Sequence, residues 1–354
     1  MLDLVLDRRN FLKVGGIGGG LSVMPFSDEI FAQEKTANDK SVIWLWLAGG
    51  PTQFETFHAP IDIVPDPYRP VTGIVQHNNG LAFGGLFTEL IQRGEHLTAV
   101  NSFSHGDSSH RQATHWMMTG HYNPKRENTA NSEYPGHGAI ASAVFGSNNP
   151  VTGMPAYVKQ GNIEGEQSAF LGGAYKPFDP SNKDNLTPRI DISRFRDRKN
   201  LLRALDLAQF GTKFITVNYG GWDMHSDVKA GLDKKVPPLD KAISAFIDDI
   251  YESGLSENIL LVVTGEFGRT KLNKKAGRDH WPSIIPMLLS GGRYDHGRVI
   301  GSADKAYSAI ENKVGPIDIA ATLFDHFEIP KETQWVDQGG RPRYLLEGNG
   351  KVIL

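Results

Sequence analysis

Cysteine is absent from this chain of 354 residues. The absence excludes disulfide bonds, zinc sites built on thiolates and a cysteine nucleophile. A concentrated basic face is also missing, because the 37 Lys and Arg residues are spread along a chain whose net charge is −3. That distribution argues against nucleic acid as a partner. Stability is therefore expected to come from a large core, which a hydrophobic content of 39% can supply.

Residues 1–34 have the pattern of a twin-arginine export signal. Arg8-Arg9-Asn10-Phe11-Leu12-Lys13 precedes a weakly apolar, glycine-rich stretch at 14–24. At about 11 residues this stretch is shorter than the roughly 20 that a membrane span needs, and no other span is predicted. We predict the twin-arginine translocation machinery as a partner and a periplasmic or other extracytoplasmic location. Cleavage near Ala32-Gln33 and retention as an uncleaved anchor both stay open.

Residues 35–354 are predicted to form a single α/β domain. Apolar runs alternate with stretches of helical spacing, which favours a doubly wound, mostly parallel sheet with helices on both faces. Strands are predicted at 41–48, 97–102, 213–218, 258–264 and 284–290, and helices at 110–119, 200–210, 239–250 and 317–327. The segment 123–191 is rich in Gly, Pro and Asn and has little periodicity. It is predicted to be a loop-rich insertion that caps the sheet.

Polar side chains cluster where the predicted strands end. Ligands of such sheets bind beyond the carboxyl ends of the strands, here the loops that follow Gly49, Asn101, Asn218 and Thr264. Those loops and the segment after them carry the candidate residues Glu55, His58, Ser104, Ser108, Ser109, His110, Asp223, His225, Glu266, Arg269, Arg278 and His280.

Imidazole and carboxylate groups that converge from separate loops are the donors that zinc and manganese sites use, and calcium is a further candidate. In an extended segment, Asp223 and His225 would point to the same side. His110, at a predicted helix start, could lie where free N–H groups receive an anion. Arg269 and Arg278 could clamp a phosphate or sulfate bidentately, and a structural salt bridge is the alternative for each.

The motifs also carry a family resemblance. After the Arg-Arg-x-Phe-Leu leader come GGPTQFETF, SHGDSSHRQATHWMMTG, GGWDMHSD, GEFGRT, GRDHWP and PIDIAATLFDHFEIP. This order is similar to that of a large family of uncharacterised exported proteins, the domain of unknown function 1501, and it covers nearly the whole chain. That family resembles the alkaline phosphatase and sulfatase superfamily. The resemblance implies an alkaline-phosphatase/sulfatase-like fold and a metal-binding site.

The resemblance also assigns candidate roles. Asp223, His225 and His280 match ligands of one metal position of the superfamily. Glu266 stands where relatives carry an Asp-His pair, with Phe267 in place of the histidine. Gly49-Gly50 occupies the place of the first metal-binding aspartate, and Glu55 is the nearest carboxylate. At the positions of Glu55 and His58 the uncharacterised family usually has Asp.

The largest departure concerns the nucleophile, because the superfamily's Ser, Thr or modified Cys position falls on His110, directly after Ser109. His110 could be a metal ligand or a nucleophile, and Ser104, Ser108 and Ser109 are alternative nucleophiles. We therefore carry two hypotheses. The first is an exported metal-dependent hydrolase of phosphate or sulfate esters. The second is a non-catalytic, metal-containing accessory protein of the cell envelope that recognises an anionic glycan or polymer.

Overall fold

A computed structural model describes residues 40–60, 66–123, 133–180, 198–304 and 307–354. The predicted export signal lies outside these residues, and so do 124–132 and 181–191 of the predicted insertion. In the described part of the chain, no helix combines the length and the apolar character that a membrane span requires.

The fold is built on a mixed sheet, which has seven strands in the described residues. In spatial order these are β11 (Arg298–Ile300), β4 (Thr98–Val100), β10 (Met287–Gly291), β7 (Ile259–Thr264), β1 (Ser41–Trp46), β6 (Phe214–Asn218) and β5 (Tyr157–Gln160). Strand β10 runs antiparallel to both of its neighbours, and every other neighbouring pair is parallel. The carboxyl ends of β1, β4, β6 and β7 therefore meet at one edge of the sheet.

Helices cover both faces of this sheet, as the sequence predicts. They are α1 (His110–Thr119), α2 (His137–Phe145), α3 (Arg198–Gln209), α4 (Val228–Glu252) and α5 (Pro316–His326). Side chains of β1 alternate between the two faces: Ile43 and Leu45 pack with α3 and α4, and Val42 and Trp44 pack with α1, α2 and α5. This alternation is the two-residue period of a strand that is buried on both sides.

Smaller elements decorate the frame. The two-stranded pairs are β2 (Ile74–Gln76) with β3 (Ala82–Gly84), β8 (Gly268–Leu272) with β9 (Arg278–Trp281), β12 (Ser302–Ala303) with β13 (Ala309–Glu311), and β14 (Gln334–Val336) with β15 (Pro342–Tyr344). Short 3-10 helices lie at Gln53–Glu55, Asp66–Tyr68, Leu90–His96, Ala169–Leu171 and Gly173–Tyr175.

The structure refines two sequence expectations. The strand predicted at 284–290 begins at Met287 and is the antiparallel member of the sheet. The described part of the predicted insertion contributes α2 and the edge strand β5 to the main fold, since β5 pairs with β6. Apolar content alone predicts a strand but not its direction, which depends on where the chain crosses the sheet.

The burial of two histidines, His137 and His326, leads us to expect that acid destabilises the protein. Burial lowers the pKa of both His137 and His326 to about 4, below the ordinary 6.5. Between these values the unfolded chain binds more protons than the folded chain, so stability falls as pH falls from 6.5 towards 4. We expect a loss approaching about 1.4 kcal/mol per pH unit for each histidine.

Urea unfolding at pH 7, 6 and 5 measures this loss, and His326→Gln should reduce its slope. The amide can still donate to the Ser41 carbonyl, which the His326 ring now contacts at 3.0 Å. A pH slope that this substitution leaves unchanged would exclude His326 as a source of the effect.

Candidate metal centre

Four chain segments bring the candidate side chains together at the carboxyl edge of the sheet. Glu266 follows β7, Asp223 and His225 follow β6, and His110 begins α1 after the loop that leaves β4. His280 comes from the β8–β9 hairpin, which itself follows β7. The donor atoms of His110, Asp223 and His280 all lie within 4.8 Å of one another. These side chains therefore meet where separate loops leave one edge of the sheet.

Asp223 is the hub of the cluster. Its Oδ1 lies 2.9 Å from Nε2 of His225 and 3.1 Å from Nε2 of His280. Its Oδ2 lies 3.5 Å from Nε2 of His110. Three imidazoles thus present the same ring nitrogen to one carboxylate.

Each imidazole is held through its other nitrogen. Nδ1 of His110 lies 2.7 Å from Oε1 of Glu266, and Nδ1 of His225 lies 2.9 Å from Oδ1 of Asp279. Nδ1 of His280 lies 2.8 Å from the carbonyl oxygen of Ser108. Carbonyl and carboxylate oxygens accept hydrogen bonds, so in each neutral ring Nδ1 carries the proton and Nε2 has a lone pair. This is the outer-shell arrangement of metal-bound histidines.

The residues fit a metal ion on physical grounds. Nε2 of His225 and Nε2 of His280 are 3.0 Å apart. With both protons on Nδ1, two lone pairs face each other beside a carboxylate, and a cation would relieve this repulsion. The separation is close to the edge of a tetrahedral zinc site, about 3.3 Å for Zn–N bonds of about 2.0 Å. Oε2 of buried Glu266, beside His110, has no hydrogen-bond partner among the described residues.

The electrostatics support an anionic hub at Asp223. Burial would raise the pKa of Asp223, but the hydrogen bond from Arg269 and the contact with His280 outweigh it and lower that pKa to about 2. Burial lowers the pKa of His280. The hydrogen bond with Glu266 raises the pKa of His110. Asp223 therefore stays ionised and able to bind a cation through the whole range in which proteins work.

The centre is open to solvent. The side chains of His110, Asp223 and His225 are 40%, 44% and 46% exposed. Solvent and external ligands would therefore reach a bound ion, and an ester oxygen would enter as a fifth ligand beside the four side chains.

The structure gives Glu55 a different environment from a metal ligand. Its Oε1 lies 2.6 Å from Nη2 of Arg278 and accepts a hydrogen bond from the backbone N–H of Val71 at 3.0 Å. Its Oε2 accepts a hydrogen bond from the Thr52 hydroxyl at 2.5 Å. Glu55 and Arg278 are both fully buried, so they form an internal ion pair away from the three imidazoles.

Arg269 and Arg278 have no free face for an external anion. Arg269 is 1% exposed and Arg278 is 0% exposed. Arg269 donates to Asp223 and to backbone carbonyls, and Arg278 donates to Glu55 and to the carbonyls of Arg69 and Thr270. The salt-bridge alternative describes both side chains better than the predicted anion clamp.

Two of the candidate nucleophiles, Ser109 and His110, are also engaged. The Ser109 hydroxyl donates to Oε1 of Gln112 at 2.5 Å, and both ring nitrogens of His110 face carboxylates. The carbonyl oxygen of Ser108 contacts Nδ1 of His280 and orients its ring. His58 packs its ring 5.7 Å from that of Tyr307. These contacts favour the ligand reading of His110 over the nucleophile reading.

Sequence reasoning missed two members of the centre. Asp279, which fixes His225, stands directly before His280 in GRDHWP, and this adjacency of carboxylate and imidazole was the available signal. Gly49 donates its N–H to Oε1 of Glu266 at 2.8 Å, and its carbonyl accepts from Arg269. A glycine without a side chain gives no chemical signal, so only its neighbours in space reveal this role.

Residues 39–206 and 191–354 match the family described as "Protein of unknown function (DUF1501)". The chain belongs to this family. The match confirms the resemblance that the motif order indicates. No curated protein sequence matches this DUF1501 chain significantly.

Solved structures show what the DUF1501 chain is similar to in shape. The lipoteichoic acid synthase LtaP from Listeria monocytogenes has a TM-score of 0.50 and 13% identity, over 91% of this chain and 77% of that one. A protein in the alkaline phosphatase superfamily from Vibrio parahaemolyticus has a TM-score of 0.49 and 12% identity, over 88% and 69%. At such identities the likeness concerns the fold alone. The fold is α/β and alkaline-phosphatase/sulfatase-like, as the sequence predicts.

Proposed function

We propose that this DUF1501 chain is an exported, metal-dependent hydrolase of phosphate or sulfate esters, with the His110–Asp223–His225–His280 cluster as its centre. One observation carries the proposal. Three Nε2 atoms converge on Asp223 while every Nδ1 is tied to an oxygen acceptor. Export by the twin-arginine route and an extracytoplasmic location remain predictions that rest on the Arg8-Arg9 motif.

The donor set favours zinc or manganese. Three imidazole nitrogens and one carboxylate oxygen suit these ions better than calcium, which prefers oxygen ligands. A bound divalent cation would act as a Lewis acid that polarises an ester oxygen. The cation would be held by His110, Asp223, His225 and His280. The imidazoles would be kept in orientation by Glu266, Asp279 and the Ser108 carbonyl.

The start of α1 offers a place for the anionic group of an ester. Ser109 is the N-cap residue, but its side chain makes no capping hydrogen bond in the described structure and bonds to Gln112 instead. Helix N-termini attract anions through their first-turn N–H groups and the helix dipole. The ester would be bound between this helix start and the imidazole cluster, with buried Arg269 behind Asp223.

The non-catalytic hypothesis has an observation of its own. The superfamily's nucleophile position holds His110, whose two nitrogens are committed, and the neighbouring Ser109 hydroxyl is bonded to Gln112. A chain with this arrangement could bind an anionic glycan or polymer at the metal without turning it over. Hydrolysis in this chain would then need a water molecule, or the hydroxyl of Ser104 or Ser108, as the attacking group.

Metal loading and substrate assays test the proposal together. The folded full-length protein is stripped with a chelator, reloaded with Zn²⁺ or Mn²⁺, and analysed for bound metal and thermal stability. We expect about one ion per chain, and about 2.7 kcal/mol of stabilisation when free metal is 100 times Kd. Aryl phosphate, phosphodiester and aryl sulfate are then assayed with and without the metal.

The outcomes separate the two hypotheses. Metal-dependent turnover of any of these esters supports the hydrolase. Bound metal without turnover supports the binding protein. No bound metal, and a melting temperature that the chelator leaves unchanged, would exclude both metal hypotheses.

A further inference from the structure

Arg269 lies directly behind the hub of the candidate metal centre. It sits on β8 opposite His280 of β9, and residues that face each other across an antiparallel pair point to the same side of the hairpin. Its Nη2 donates to Oδ1 of Asp223 at 2.6 Å. Arg269 therefore shares the centre with His280, although it is almost completely buried.

The other donors of Arg269 fix the guanidinium in place. Nε donates to the carbonyl of Gly50 at 2.7 Å, and Nη1 donates to the carbonyl of Arg278 at 3.0 Å. Nη2 also donates to the carbonyl of Gly49. A planar guanidinium bonded on all sides presents a rigid positive charge to whatever it contacts.

We propose that Arg269 is a positioning residue for metal binding, which orients Asp223 towards the imidazoles and does not contact the substrate. This inference rests on the proposed metal centre. With Oδ1 held by Arg269, Oδ2 is turned towards Nε2 of His110. The guanidinium also offsets part of the charge that Asp223 and Glu266 place beside each other. An outer group of this kind typically changes metal affinity by about ten- to hundredfold.

Arg278 provides a matched comparison. It is carried by the same hairpin, is fully buried, and pairs with a carboxylate at 2.6 Å, as Arg269 does. Its carboxylate partner is Glu55, which lies outside the imidazole cluster. Removing either arginine leaves a buried or half-buried carboxylate without its cation, which destabilises the fold in both cases. Only the loss of Arg269 should also change metal affinity.

The experiment compares Arg269→Met and Arg269→Lys with Arg278→Met and Arg278→Lys in the full chain. Zn²⁺ affinity is measured by calorimetric titration at a temperature where circular dichroism shows each variant to be folded. We expect Arg269→Met to weaken binding about ten- to hundredfold. Arg269→Lys should recover part of this loss, because lysine keeps the charge but loses the fork geometry. Both Arg278 variants should stay within about threefold of the wild type.

A structural role alone would not produce this split between affinity and stability. Zn²⁺ affinity that is unchanged in Arg269→Met, or reduced equally by Arg278→Met, would overturn the positioning role. If either Met variant does not fold, the two Lys variants decide: equal affinities at both sites overturn the proposal. Failure of the wild type to bind Zn²⁺ or Mn²⁺ would instead overturn the proposed function itself, so the two failures are distinguishable.

Discussion

Replacing His280 by alanine should abolish tight metal binding and any metal-dependent hydrolysis. His280 occupies the middle of the cluster, with its Nε2 3.0 Å from Nε2 of His225 and 3.1 Å from Oδ1 of Asp223. Its loss removes a candidate ligand itself, so we expect a decrease in Zn²⁺ affinity beyond the ten- to hundredfold typical of an outer partner. Calorimetric titration of the folded variant measures this decrease.

His96→Ala is the matched control for this prediction. His96 is a partly exposed histidine whose ring stacks 3.8 Å from that of Tyr251, outside the cluster. Its removal deletes an imidazole of similar exposure without touching Asp223. We expect wild-type Zn²⁺ affinity in His96→Ala. Comparable affinities in the two alanine variants would contradict the placement of the metal at His280.

Gly49→Ala should damage both the fold and the metal centre. Gly49 has φ +111°, a conformation that residues with a side chain rarely adopt, at a cost of about 1 to 3 kcal/mol. A Cβ there would lie 2.5 Å from the backbone nitrogen of Asp223 and 2.9 Å from that of Trp222. Backbone atoms cannot rotate away as a side chain can, so the segment that carries Asp223 must move. Overpacking of this kind costs about 1 to 3 kcal/mol more.

The displacement should also reach the metal. The N–H of Gly49 holds Glu266, and its carbonyl accepts from Arg269, so movement at this position disturbs two supports of the cluster. We expect Zn²⁺ affinity to fall about tenfold or more in Gly49→Ala, as when outer partners of a metal are lost. Urea unfolding and calorimetric titration measure the two effects separately.

Gly80→Ala isolates the loss of stability that a positive φ causes by itself. Gly80 has φ +92°, but a Cβ there meets nothing within 4 Å. This variant should therefore lose stability through its positive φ alone and keep wild-type metal affinity. If Gly49→Ala were no more destabilising than Gly80→Ala and bound Zn²⁺ normally, the close approach of Gly49 to Asp223 would be excluded as a factor in stability and metal binding.

Much of the frame could be predicted because its signals are local. The run that contains β1 is apolar on both faces, and the helical spacing at 110–119 ends at Gly120, which adopts φ +76° as the C-cap of α1. Parallel strands place their carboxyl ends at one edge whatever the details of the loops. From this the convergence of His110, Asp223 and His280 could be predicted without knowing a single contact.

The roles of the charged residues required the tertiary structure. By residue type, Glu55, Glu266 and Asp223 are equally good ligands, and Arg269 and Arg278 are equally good anion clamps. Their difference comes from burial and from partners that are distant in the chain: Glu55 pairs with Arg278 across 223 positions, and His110 with Glu266 across 156. A local sequence pattern cannot indicate a pairing between residues so far apart in the chain.

The sequence by itself determined the alternation of strands and helices, the family and the edge of the sheet at which the polar residues meet. The tertiary structure alone decided which side of each imidazole faces Asp223, which arginines are buried behind it, and that β10 runs antiparallel. The physical reason is that backbone periodicity depends on neighbours along the chain. Ring orientation and charge pairing instead depend on hydrogen bonds that form only after the loops from separate strands have packed together.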